Sequence, residues 1–228
     1  ALRQLTSDPG CAKMNNKRCV IVSGGDFGPL PELRGDEFVI ACDRGYQYCK
    51  DLGIRPDLVI SDFDSYKGPI DSGITLNEYS SIKDDTDTML AIRYAVEHDF
   101  QELILCCALG GRLDHLVANL QCLVFAGLHG LCASLYDAQT EIFVLEAGSV
   151  RIPRRSGWSL SVFAPDGPCR GVSISGAKYP LQNAEILPSF PIGVSNDWTE
   201  EEAVISVREG ILMIILSAIP ERLTKQLT

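Results

Sequence analysis

The chain has 228 residues, 46% of them hydrophobic, and a formal net charge of −10. That is enough apolar material for a buried core, as one large domain or two modest ones. The acidic balance argues against nucleic-acid or anionic-membrane partners, and no run approaches the roughly 20 apolar residues of a membrane span. Nine cysteines are scattered without any CxxC pair, mostly inside apolar runs such as LILCCAL. This pattern predicts free thiols in a reducing, cytoplasmic setting rather than a zinc ribbon.

Residues 1–13 show neither periodicity nor the apolar core of a signal peptide, and Met14 offers a natural start. Residues 1–18 are therefore expected to form an extension outside the fold. Three short apolar runs follow, CVIVSGGDFG (19–28), EFVIACDRG (37–45) and DLVISDFDS (57–65). Each is rich in β-branched residues, does not alternate and stops at Gly or Asp, as strands buried on both faces do. YQYCKDLG, between the second and third, has helical length and a glycine stop. A helix is predicted over 86–98, with Met89, Leu90, Ile92, Arg93 and Val96 marking its two faces. Another apolar run, ELILCCALGG (102–111), precedes a helix over RLDHLVANLQCLVFAGLHG. Strand–helix alternation of this kind predicts a parallel α/β sheet over residues 19–138.

Past residue 138 the pattern changes. EIFVLEAGSVRI, WSLSVFAP, GVSISGAKYPL, EEAVISVREG and ILMIILSA are short strand-like runs separated by Gly, Pro and Ser. Residues 139–228 are thus expected to form an antiparallel β domain, a sandwich or small barrel.

Acid is concentrated where the first half turns from strands to loops. Between 57 and 87 stand Asp57, Asp62, Asp64, Asp71, Glu78, Asp84, Asp85 and Asp87, against only Lys67 and Lys83. Asp62 and Asp64, two apart at a strand end, can both reach one hard cation, and carboxylates with retained water suit Mg²⁺. A solvated turn would explain an isolated pair equally well. In KDDTDT (83–88), N-capping by Asp85 or Thr86 accounts for one or two acids but not three beside Lys83. A lysine next to metal-directed carboxylates is what a polyphosphate site needs. GGRLDHLVAN (110–119) opens a helix with two glycines and Arg112, which suits an anion. Asp114, His115 and Asn119 follow on its first turns, the last two sharing a face. No Walker sequence and no G-x-S-x-G occur, and SGGDFG after the first strand is weak as a nucleotide signal by itself.

SDFDS, KDDTDT and GGRLDH, in this order and followed by GVSND (193–197), resemble the thiamine pyrophosphokinase family. The resemblance spans about residues 19–217. Ser61 stands where the family usually has Gly, and Asp197 where it often has Glu. The resemblance implies a Rossmann-like α/β domain with a parallel sheet, a C-terminal antiparallel β-sandwich, and a homodimer binding thiamine between subunits. It implies pyrophosphate transfer from ATP to the thiamine hydroxyl, with Mg²⁺ held by Asp62, Asp64 and Asp87. Asp43 and Asp84 complete the acidic site, and Lys83, Arg112, Asp114 and His115 stand near ATP. Ser195 and Asn196 match the motif near thiamine, and Trp198 is either a stacking face or a plain core aromatic. The rival readings are an aspartate-dependent Mg²⁺ phosphohydrolase and a non-catalytic nucleotide or thiamine sensor.

Overall fold

In the computed structural model, residues 17–61, 68–78 and 85–220 are described. They divide into two compact units, one up to Ala138 and one from Gln139.

The first unit opens with β1 (Arg18–Val22), β2 (Phe38–Cys42), α1 (Gly45–Asp51), β3 (Leu58–Ser61) and β4 (Thr75–Glu78). It continues with α2 (Asp87–Glu97), β5 (Glu102–Cys106), α3 (Leu113–Leu128) and β6 (Cys132–Tyr136). Every pairing is parallel, in the order β6-β5-β1-β2-β3-β4. The unalternating runs are explained by cover on both faces: β1 and β3 are buried along their whole length. Val20, Val22, Val39, Ala41 and Val59 form one core with Tyr46 and Cys49 of α1. By the two-residue period Ile21, Ile40 and Ile60 point to the other face, where α2 packs on β1, β2 and β3.

The expected face of α2 needs correction. α2 buries Thr88, Ala91, Ile92 and Ala95, an i, i+3, i+4, i+7 stripe of mostly small residues, while Met89 and Leu90 lie at its margins. Strands β4 and β6 also go beyond the sequence reading. TLNE and CASLY are too short or too polar to stand out, and parallel pairing to β3 and β5 makes them strands.

The second unit contains β7 (Thr140–Pro153), β8 (Trp158–Phe163), β9 (Cys169–Ser175), β10 (Leu181–Ile186) and β11 (Glu202–Ala218). All its pairings are antiparallel. EEAVISVREG and ILMIILSA, expected as separate strands, are the two halves of β11. The register against β7 jumps from Val207↔Gly148 to Ile211↔Glu146, a bulge rather than a chain reversal. Gly210 holds φ +90° there, with Pro168 O only 2.9 Å from where a Cβ would stand. β9 pairs with the first half of β11 and β8 with the second. Val207, Leu212, Ile214, Val162, Val172 and Ile174 nevertheless share one core, so both halves of β11 serve it.

Candidate functional site

The strand order decides where a crevice can open in the first unit. From β1 the chain moves out through β2, β3 and β4, then returns to the other side of β1 as β5. The connections therefore diverge between β1 and β5, and ligands of open α/β sheets bind beyond the carboxyl ends at such a point. The two loops that leave there are tied together. Ser23 N donates to Cys106 O at 2.9 Å, Gly25 N to Cys107 O at 2.7 Å and Asp26 N to Leu109 O at 2.8 Å. Gly110, at φ +73°, lies so close under Asp26 that a Cβ would meet Asp26 Oδ2 at 1.9 Å. The glycine of GGRLDH is thus required by its backbone conformation and by a neighbour at once.

Arg112 is the N-cap residue of α3 and makes no side-chain cap. Its guanidinium instead forks onto Asp114, Nε to Oδ1 at 3.1 Å and Nη2 to Oδ2 at 2.6 Å. This bidentate pairing holds the Asp114 carboxyl below the usual range and raises the guanidinium further. Asp114 Oδ1 also accepts from His115 N, and the Arg112 and His115 side chains are exposed. Asn119, expected to share a face with His115, is buried and donates to Ala108 O at 2.8 Å. It braces the β5–α3 turn from inside.

The acidic side of the crevice starts at Asp43, directly after β2. Its φ is +48°, its N–H donates to Ile60 O, and its Oδ1 accepts from Ser61 Oγ at 3.4 Å. Asp43 therefore stands beside the end of β3, where the chain proceeds to SDFDS. Asp62, Asp64, Lys83 and Asp84 lie outside the described residues. Asp87 opens α2, capped by Thr86, whose side chain accepts from Met89 N. Asp85, the other residue offered as the cap, pairs instead with Arg93 at 3.2 Å. Two side chains fix the first turn of α2 to the sheet. Ser23 Oγ and Thr88 Oγ1 are 2.9 Å apart and buried, and Cys42 Sγ donates to Asp87 O at 3.5 Å. Burial chiefly, then the carboxylate of Asp87 and more weakly that of Asp43, push the Cys42 thiol well above its ordinary value. Asp43 follows Cys42 in the chain and the Asp87 carbonyl accepts from its thiol, so both residues stand at the end of β2. Among the described residues no three His, Cys, Asp or Glu side chains form a metal-holding group. Asp43 and Asp87, the acids placed at this end of the sheet, carry carboxylates, a donor type that suits a hard divalent cation.

In the second unit the GVSND loop is committed more deeply than expected. Asn196 is 1% exposed. Its Oδ1 accepts from Tyr179 N at 2.9 Å and Asp197 N at 3.0 Å, and its Nδ2 donates to Tyr179 O at 2.9 Å. Trp198 is 3% exposed, packs in the core and donates from Nε1 to Ile152 O at 3.0 Å. Of the two roles weighed for Trp198, this geometry gives the core aromatic, because its face is covered. The groups left outward are Ser195, held at φ +55° with its N–H on Ser161 Oγ, and Asp197. Beside them stands Tyr179, 59% exposed, its backbone clamped on both sides by the Asn196 amide. Tyr179 is an exposed aromatic beside the motif that the sequence did not point to. It reads as the tail of a strand, and nothing local signals a partner 17 positions away.

Family comparison covers both units. The model described as thiamin pyrophosphokinase, catalytic domain, matches residues 32–130, and the vitamin B1 binding domain of thiamin pyrophosphokinase matches residues 149–212. A curated thiamine pyrophosphokinase of Bacillus subtilis (strain 168) is 30% identical over 207 residues, 86% of this chain and 97% of that one. The crystal structure of thiamine pyrophosphokinase from Bacillus subtilis superposes with a TM-score of 0.79 at 26% identity, covering 90% of this chain and 100% of that one. That of the protein from Geobacillus thermodenitrificans gives 0.76 at 28% identity, covering 90% and 99%.

Proposed function

We propose, from the premise that the chain belongs to the thiamine pyrophosphokinase family, how its residues divide that family's reaction. The protein is a diphosphotransferase: ATP and thiamine give AMP and thiamine diphosphate. The thiamine hydroxyl attacks the β-phosphorus, the β–α bridging bond breaks, and AMP leaves on the opposite side. Such a transfer needs alignment and charge neutralisation more than covalent help.

The observation that carries the assignment of roles is the meeting of the tied glycine turns at the carboxyl ends of β1 and β5, with Asp43 following β2 and Asp87 opening α2 next to Cys42. Asp62, Asp64 and Asp87 are the residues that would hold Mg²⁺, with Asp43 and Asp84 completing the acidic lining. The ion, when bound, supplies Lewis-acid neutralisation of the phosphate oxygens. Lys83 and Arg112 offset negative charge that grows in the transition state, and Asp114 keeps the Arg112 fork oriented. His115 lies at the same helix start, beside the nucleotide. One carboxylate of the cluster, for which Asp87 is the candidate, accepts the hydroxyl proton. On the thiamine side, Ser195 supplies hydrogen bonding, Asp197 faces the cationic thiazolium, and Tyr179 offers the aromatic surface sought in Trp198. Asn196 acts by holding Tyr179. The second unit is read as a β-sandwich folded over the core that both halves of β11 share. A homodimer with thiamine between subunits is part of the proposal.

Chromatography of ATP incubated with Mg²⁺, thiamine and the protein tests the reading. AMP formed only when thiamine is present supports it. Phosphate release without thiamine indicates a phosphohydrolase, and no turnover indicates a sensor.

A further inference from the structure

The SGGDFG loop after β1 occupies the switch point, yet none of the roles above falls on it. It holds Phe27, which is 54% exposed and lies outside both cores described above. An apolar ring on a mobile tip would be unremarkable, but this loop is tied down at each step. Gly25 and Asp26 donate to the carbonyls of Cys107 and Leu109, and Cys107 Sγ donates to Gly28 O at 3.7 Å. Tyr48 backs the ring with centroids 5.1 Å apart and an interplanar angle of 58°, and its hydroxyl donates to Gly25 O at 2.8 Å. Tyr48 is itself packed against the core of the first unit, so the exposed ring has a rigid support. Asp26, the residue before it, lies on Gly110 of the turn that leads to Arg112.

We infer that Phe27, backed by Tyr48, is the shelf on which the adenine ring of ATP stacks. This rests on the pyrophosphate-transfer reading, which brings a nucleotide to this crevice, and it adds the base-binding half that the charged residues leave unassigned. A nucleotide needs an apolar surface for its base as well as cations for its phosphates. An aromatic face supplies that surface to any base, with larger overlap for a purine than for a pyrimidine. Because Phe27 has no polar atom, the preference it confers is one of ring area, not of base edge.

Steady-state kinetics and fluorescence test the inference. Phe27→Ala is expected to raise KM for ATP about tenfold while KM for thiamine stays within about twofold. Phe27→Trp places a reporter on the shelf, and AMP is expected to quench its emission beyond any change in the parent protein, with UMP quenching less at equal concentration. An unchanged KM for ATP in Phe27→Ala overturns the shelf, as does a Phe27→Trp signal indifferent to AMP. In both cases AMP production by the parent protein leaves the transferase reading intact. If the parent makes no AMP but Phe27→Trp is still quenched, the shelf stands and the transferase reading fails.

Discussion

Asn196 spends its whole side-chain amide on backbone, accepting from the N–H of Tyr179 and of Asp197 and donating to the Tyr179 carbonyl. Truncating it removes three part-buried hydrogen bonds at once and leaves their backbone partners without the amide, which costs about 1–3 kcal/mol. Asn196→Ala is therefore expected to lower thermal stability and to raise KM for thiamine several-fold, with KM for ATP unchanged. Tyr179→Ala separates the two effects. Its exposed ring contributes little to the core, so KM for thiamine should rise by a similar factor at nearly constant melting temperature. A Tyr179→Ala variant with unaltered KM for thiamine would assign the clamp to folding alone. The sequence made the GVSND motif legible, because Ser, Asn and Asp in a turn next to Trp suggest polar recognition. It could not tell which aromatic faces outward, since Trp198 and Tyr179 differ only in how the β strands bury them. The same limit applied to Asn119, whose helical register was correct and whose burial against Ala108 O is a tertiary fact.

At the scale of elements, the parallel strands and helices were legible because burial on both faces leaves unalternating apolar runs. β4, β6 and the continuity of β11 were not, since a polar strand and a bulge are defined by their partners. The amino ends of β1 and β5 show another feature that no local pattern announces. Arg18 bridges Glu37 at 3.2 Å and Glu102 at 3.0 Å, with the Arg18 and Glu37 side chains 8% and 2% exposed. Burial opposes charge on Glu37, but the N–H groups of Arg34 and Gly35 and the Arg18 guanidinium outweigh it, so its pKa lies below the ordinary glutamate value. A carboxylate depressed in this way stabilises the fold fully above its unfolded pKa, and that stabilisation is lost as pH falls through the folded value. Melting temperature followed from pH 7 downwards should therefore drop in the acid range below the ordinary glutamate pKa. Glu37→Gln should start lower at pH 7 and lose less on acidification. Parallel curves for the two proteins would remove Glu37 from the acid response.

For the whole molecule, the nucleotide residues proposed here lie in the first unit and the thiamine residues in the second. The decisive matter is whether one chain supplies both halves of a site. Two variants answer it. Asp62→Asn/Asp64→Asn removes metal-directed charge with little change of shape, and turnover is expected to fall at least about 100-fold. Its melting temperature should hold or rise, because repulsion between the two carboxylates is relieved. Tyr179→Ala, assayed at thiamine well below its KM, weakens the other half. If the protein is a homodimer that binds thiamine between subunits, a mixed dimer carries one site with both defects and one with neither. Co-expression at equal levels makes about half the dimers mixed, so activity should recover to about a quarter of the parent value. If each chain builds its own site, every site in the mixed dimer keeps one defect, and activity stays near the average of the two variants. Sedimentation of the same samples identifies the dimer, and a fully active monomer would contradict the shared site outright.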